Sequence, residues 1–140
     1  PLGAVYQAGT LSGNPVAMAA GYAALKQLLE PGFYEMLNAK TAGFVQTLQD
    51  YADAKGYPVS FPSVGSIFWV AFARERIISA EQIDPTSMNH FKIMHLELLK
   101  RGIYMGPSGY EVGFVSSAHS DADLAQAVEA FKEALDIVFS

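Results

Sequence analysis

Ser66-Ile67-Phe68-Trp69-Val70-Ala71-Phe72-Ala73 reads as a strand. The run is rich in β-branched and aromatic residues, opens after Gly65 and has no helical spacing. Its neighbours read differently. Upstream, Leu37, Phe44, Leu48 and Tyr51 recur at helical intervals, so a helix is expected over 33–55. Gly56 suits its C-terminal cap, and Pro58 blocks continuation. A short strand is expected at 59–61, between that helix and the aromatic run. Downstream, 74–87 reads as a connection with a turn at Asp84-Pro85. A third helix is expected over 88–101, with Phe91, Met94 and Leu98 on one face and Gly102 at its end. Ile103-Tyr104-Met105 and 111–116 read as further strands around a Gly106-Pro107-Ser108-Gly109 turn. Ser120 then opens a last helix, with Asp123 at the third position in a variant of the capping box. Leu124, Val128, Phe131, Leu135 and Val138 form its apolar stripe.

At the other end, Asn14 is a good helix cap and Pro15 suits the first helical position. The helix expected over 15–29 is apolar on most faces and is expected to be well buried. The helix over 33–55 is more polar and is expected to be the more exposed of the two. The order of elements implies an α+β fold, with a small, mainly antiparallel sheet covered by helices.

Composition narrows the function. The chain has 140 residues, enough for one domain with a core. Its net charge of −5, with nine scattered Lys and Arg, argues against nucleic acid as a partner. There is no cysteine, which excludes disulfides and thiolate metal sites. No apolar run approaches the roughly 20 residues that span a bilayer. The chain does not begin with Met and is expected to be part of a longer protein.

The segment before the first helix, Val5-Tyr6-Gln7-Ala8-Gly9-Thr10-Leu11-Ser12-Gly13-Asn14-Pro15, joins a donor-rich loop to a helix start. Gly9 would let backbone approach an anion, and Thr10 adds an N–H and a hydroxyl. The residues alone leave two readings open, a phosphate cradle or a plain loop feeding a helix. Ser12 and Asn14 read as turn and cap.

This segment closely resembles the phosphate loop of the glutamate-1-semialdehyde aminomutases, a branch of the class III aminotransferase family of pyridoxal-phosphate enzymes. Two further stretches carry the same resemblance. One is Ser63-Val64-Gly65-Ser66-Ile67-Phe68. The other runs from Arg101-Gly102-Ile103-Tyr104 through Pro107-Ser108 to Glu111-Val112-Gly113-Phe114-Val115-Ser116-Ser117-Ala118-His119-Ser120. Val112 stands where the family usually has Ala, and Met105-Gly106 replaces Leu-Ala. The resemblance implies the C-terminal small domain of a fold-type I transferase, preceded by a long interdomain helix. Residues 1–30 would then be the tail of a large domain and 31–140 the small domain. It also implies pyridoxal 5'-phosphate or pyridoxamine 5'-phosphate as cofactor, a homodimer, and a small-molecule substrate in tetrapyrrole synthesis. Location would be the cytoplasm, or the plastid in a plant or alga. The cofactor lysine is expected upstream of the loop, since none of the six lysines here has a fitting context.

The resemblance also assigns roles. Gly9 and Thr10 match a pair that reaches the cofactor phosphate of the neighbouring subunit. Glu111, by itself a strand-edge carboxylate of the kind usually solvated, matches a glutamate lining the substrate pocket. A carboxylate there would favour an amino group and repel substrates bearing an α-carboxylate. No arginine follows Arg101, which suits a substrate with an aldehyde at that carbon. His119 reads as a tie between strand and helix cap. His90 and His95, five apart on one helix, do not make a metal site. Trp69 reads as core. Two alternatives stand beside this reading: a class III aminotransferase acting on an ω-amine, and a non-catalytic association domain. Apart from a large domain, the apolar helix from Pro15 is expected to drive self-association.

Overall fold

The computed structural model describes residues 3–5 and 8–140. Tyr6 and Gln7 of the loop motif, and Pro1 and Leu2, lie outside the described residues. The chain divides into two compact units, Pro1–Tyr34 and Glu35–Ser140.

The first unit holds the loop and helix α1, Pro15–Leu28. Asn14 caps it as expected, its side-chain oxygen accepting from the N–H groups of Val16 and Ala17 at 3.1 and 3.2 Å. None of the α1 residues is buried, which corrects the expectation of a well-buried helix. Its apolar surface is spread around the helix, so composition states what burial would gain without naming a partner surface.

The second unit carries all but the first two residues of α2 (Phe33–Lys55), with α3 (Met88–Lys100) and α4 (Asp121–Val138), over a small sheet. Helix α2 is the reverse of its expectation. It buries Leu37, Thr41, Phe44, Val45, Leu48 and Ala52, a stripe at helical spacing. Gly56, at φ 71°, closes α2 with Tyr57 N–H donating to Ala52 at 2.9 Å, and Gly102, at φ 79°, closes α3 in the same way. Ser120 and Asp123 form the full reciprocal capping box at the start of α4. The α4 stripe buries Val128, Phe131, Leu135 and Val138.

The sheet is smaller than the sequence suggests. Strands β1 (Ser63–Val64), β2 (Ile67–Phe68) and β3 (Gly113–Phe114) pair antiparallel in that order. The expected strand over 66–73 shrinks to two residues plus an isolated bridge between Ala71 and Ser60. That bridge continues the β1–β2 register. Pro62 interrupts the ladder between them, because it accepts from Trp69 N–H at 2.9 Å but has no N–H to return. Ile103–Met105 is not a strand. Ile103 N–H closes α3 by donating to Leu98 at 2.9 Å, and the Met105 carbonyl lies 3.1 Å from His95 Nε2. The expected strand 111–116 keeps only its centre, because Glu111 N–H is spent on a turn and Ser116 N–H on His119. The connection after residue 74 holds two 3₁₀ turns, Ala80–Gln82 and Pro85–Ser87.

A polar clasp joins α2 to α4. Asp136 accepts from the hydroxyls of Tyr57 at 2.7 Å and Tyr51 at 2.8 Å, and from Lys55 at 3.2 Å. The Tyr57 hydroxyl first, then that of Tyr51, with Lys55 adding to them, hold the Asp136 carboxyl below its ordinary range. A depressed carboxyl stabilises the fold above its unfolded value, near 3.9. That contribution is lost as pH falls through the lower folded value. Asp136→Ala is expected to cost about 1 kcal/mol at pH 7, a modest figure because the carboxylate is 43% exposed and screened. Urea unfolding at stepped pH is expected to show the gap between variant and parent narrowing below pH 4.

Candidate functional site

The loop of the first unit is a compact turn. Ser12 N–H donates to the Gly9 carbonyl at 3.0 Å, and Asn14 N–H donates to the Leu11 carbonyl at 3.0 Å. A Cβ on Gly9 would stand 2.7 Å from Ser12 Oγ, so a side chain there would displace the Ser12 hydroxyl from its place in the turn. Thr10 is exposed, and its N–H and hydroxyl take no partner among the described residues. The first-turn donors of Val16 and Ala17 are occupied by Asn14. A phosphate at this loop would therefore be met by donors of Gly9 and Thr10 more than by the helix start. That donor set, two N–H groups and a hydroxyl around a close-packed glycine, is chemically suited to a phosphate dianion.

Glu111 belongs to the second unit and is exposed. It follows a tight turn in which its N–H donates to the Ser108 carbonyl at 3.0 Å and Tyr110 N–H reaches Ser108 Oγ at 3.3 Å. The Glu111 carboxylate folds back over the Cα of Gly106, where a Cβ would collide with it. Gly109 is buried against α3, and a Cβ there would stand 2.6 Å from Met88 Sδ and 2.9 Å from Phe91 Cγ. The backbone of Gly106 and Gly109 is not left-handed. Close approach to the Phe91 ring accounts for Gly109, while the nearest atoms to Gly106 are the movable end of the Glu111 side chain.

Beside this turn lies a groove of about 500 Å³, walled by Met105, Gly106, Val112, Leu124 and Phe131, with His119 and Asp123 at its polar side. Glu111 is not among its lining residues. His119 Nδ1 accepts from Ser116 N–H at 3.1 Å, and its carbonyl accepts from Lys40 Nζ at 2.7 Å. His119 thus ties the segment after β3 to the cap of α4 and to α2. The Ser120 hydroxyl, with its N–H, holds the Asp123 carboxyl below the ordinary range. Trp69, read from sequence as core, is half-buried, and its indole N–H donates to the Gly109 carbonyl at 2.8 Å. The signal for that role was slight: a tucked-in indole needs an acceptor.

Among the described residues, no group of three or more His, Asp or Glu is placed to hold a metal ion. No helix among them is long and apolar enough to cross a membrane.

Residues 2–135 match the family model for class-III aminotransferases. The chain is 45% identical over 134 residues to a glutamate-1-semialdehyde 2,1-aminomutase of Laribacter hongkongensis (strain HLHK9), covering 96% of this chain and 32% of that protein. It is 43% identical over 135 residues to the protein of the same name from Desulfitobacterium hafniense (strain DSM 10664 / DCB-2), covering 96% and 31%. The chain thus spans about a third of the length of the curated relatives it matches. Among solved structures it is similar to a β-phenylalanine aminotransferase from Variovorax paradoxus, with TM-score 0.81 and 26% identity over 94% of this chain and 30% of that one. A variant glutamate-1-semialdehyde-aminomutase from Pseudomonas aeruginosa PAO1 in complex with PMP shares the fold at TM-score 0.76 and 18% identity, covering 97% and 31%. The α+β architecture expected from the sequence, a small antiparallel sheet under helices with a helix before it, is the one these structures share.

Proposed function

The chain belongs to the class-III aminotransferase family, and on that premise we propose that it is the C-terminal part of an enzyme that isomerises glutamate-1-semialdehyde to 5-aminolevulinate. The observation that carries this reading is the 45% and 43% identity to aminomutases across 96% of the chain. Residues 1–30 then form the tail of a large domain and residues 31–140 a small domain. The cofactor lysine lies in the large domain, and the enzyme works as a homodimer on a small molecule.

The loop donors suit the cofactor's phosphate, a dianion that takes several directed donors. Pyridoxamine 5'-phosphate, when bound, supplies an amino group and an electron sink. This chain's own part is to bind and to select. Gly9 and Thr10 bind the phosphate, reaching it from the neighbouring subunit. Glu111 presents a carboxylate that attracts a substrate amino group and disfavours an α-carboxylate. Residues 102–140 hold no arginine, the side chain that would pair with such a carboxylate.

The test is made on the full-length protein loaded with pyridoxamine 5'-phosphate and given glutamate-1-semialdehyde alone. Formation of 5-aminolevulinate without an added amino donor or acceptor is the expected result. Turnover only when an external ω-amine and a keto acid are both supplied would replace this reading with that of a general aminotransferase.

A further inference from the structure

Glu111 sits midway between two fixed points of the backbone. Two residues on, Gly113 is paired with Phe68 in the sheet, and its Cα packs directly against the Phe68 ring. Two residues back, Gly109 is wedged against Met88 and Phe91 of α3, and its carbonyl accepts from Trp69 Nε1 at 2.8 Å. Phe68 and Trp69 are adjacent, so one short piece of chain holds both points. Trp69 is itself fixed to the other side of the hairpin through its N–H to Pro62 at 2.9 Å.

We infer that Trp69 is a positioning residue for Glu111: its indole N–H fixes the turn that aims the carboxylate. The inference rests on the reading of Glu111 as a substrate-selecting group. The physical argument is pre-organisation. An exposed glutamate on a free turn would spread its carboxylate over many directions and select weakly. A turn held at both ends removes backbone freedom before substrate arrives. The indole is suited to the task because its single donor is directional and the side chain is half-buried. Trp69 touches no reacting atom on this account and acts only through the turn.

The experiment uses the full-length protein loaded with its cofactor, in four forms: parent, Trp69→Phe, Glu111→Gln and the double variant. Phenylalanine keeps an aromatic ring, smaller than indole, and removes the N–H. Two readouts are taken. One is amide hydrogen exchange over residues 106–112. The other is the ratio of kcat/KM for a small amino aldehyde to that for an α-amino acid of the same length. Trp69→Phe is expected to speed exchange at 108–111 and to lower the ratio about three- to tenfold, the worth of one neutral hydrogen bond. In the Glu111→Gln background it is expected to leave the ratio where Glu111→Gln alone puts it. Unchanged exchange overturns the tether. Faster exchange with an unchanged ratio, while Glu111→Gln alters it, overturns the positioning role and leaves Glu111 as selector. A ratio unmoved by Glu111→Gln overturns the reading of Glu111 and this inference with it.

Discussion

Phe131→Ala is expected to destabilise the second unit by about 3–5 kcal/mol, the usual cost of emptying a fully buried aromatic site. Phe131 is 1% exposed. Its ring lies edge-on to Phe44 of α2 at 6.1 Å between centroids, and 6.4 Å from both Phe61 and Phe68. It is therefore the ring through which α4 meets α2, the segment before β1 and β2 together. Removing it forfeits apolar burial and three aromatic contacts at once. The neighbours cannot close the gap easily, since each is anchored on a different element. Such a loss changes the folded-to-unfolded ratio by roughly two to four orders of magnitude. A domain stable by about 5–15 kcal/mol loses a large share of its margin. The matched control is Phe114→Ala, on a β3 residue that is 63% exposed, where a change within about 0.5 kcal/mol is expected. Urea unfolding of both variants checks the pair. Similar losses from the two substitutions would show that Phe131 is not the hub.

The contrast between those two phenylalanines also shows what a sequence reveals and what it hides. Phe131 falls on a stripe of period 3.6, so its burial is written in its own neighbours. Helix ends are legible for the same reason. Asn14, Gly56, Gly102 and the Ser120–Asp123 pair act within a few residues of themselves, and each sits where local chemistry puts it. Strands depend on partners far along the chain. Ile103–Met105 has strand composition, but Gly102 folds the Ile103 amide back onto α3. Pro62 breaks a ladder that the aromatic run after Gly65 would otherwise complete. Mean apolarity misstates the burial of α1 and α2, because burial follows the spacing of apolar residues along a helix. Helix α2 looks polar on average yet carries a continuous stripe from Leu37 to Ala52.

The candidate site was legible in a different way. Nothing in the residues around Gly9, Thr10 or Glu111 singles them out without a resemblance. An exposed glutamate and a Gly-Thr pair are ordinary surface features. What the structure adds is the local reason for the neighbouring glycines. Gly9 lies against the Ser12 hydroxyl, Gly106 against the Glu111 carboxylate, and Gly109 is wedged against α3. These close approaches lie three, five and about twenty residues apart in sequence. Only the last, Gly109 with Met88 and Phe91, is beyond the reach of local reading. A longer separation hid the role of Trp69, forty residues from the carbonyl it holds.

Thr10→Val is expected to weaken cofactor binding about ten- to hundredfold, the range for losing one hydrogen bond to a charged group. Valine keeps the shape and the branched Cβ, so the turn built on Gly9, Ser12 and Asn14 stays intact and only the hydroxyl is lost. Thr10→Ser restores the hydroxyl and is expected to recover most of the affinity. The measurement is titration of cofactor-free full-length protein with pyridoxamine 5'-phosphate, repeated with pyridoxamine. The second ligand isolates the phosphate. If Thr10 meets that group, Thr10→Val penalises the phosphorylated ligand and leaves the other unchanged. Equal losses for both would place the effect in the shape of the loop. No loss for either would remove Thr10 from the phosphate site and leave the backbone N–H groups of the Gly9 turn as its remaining donors.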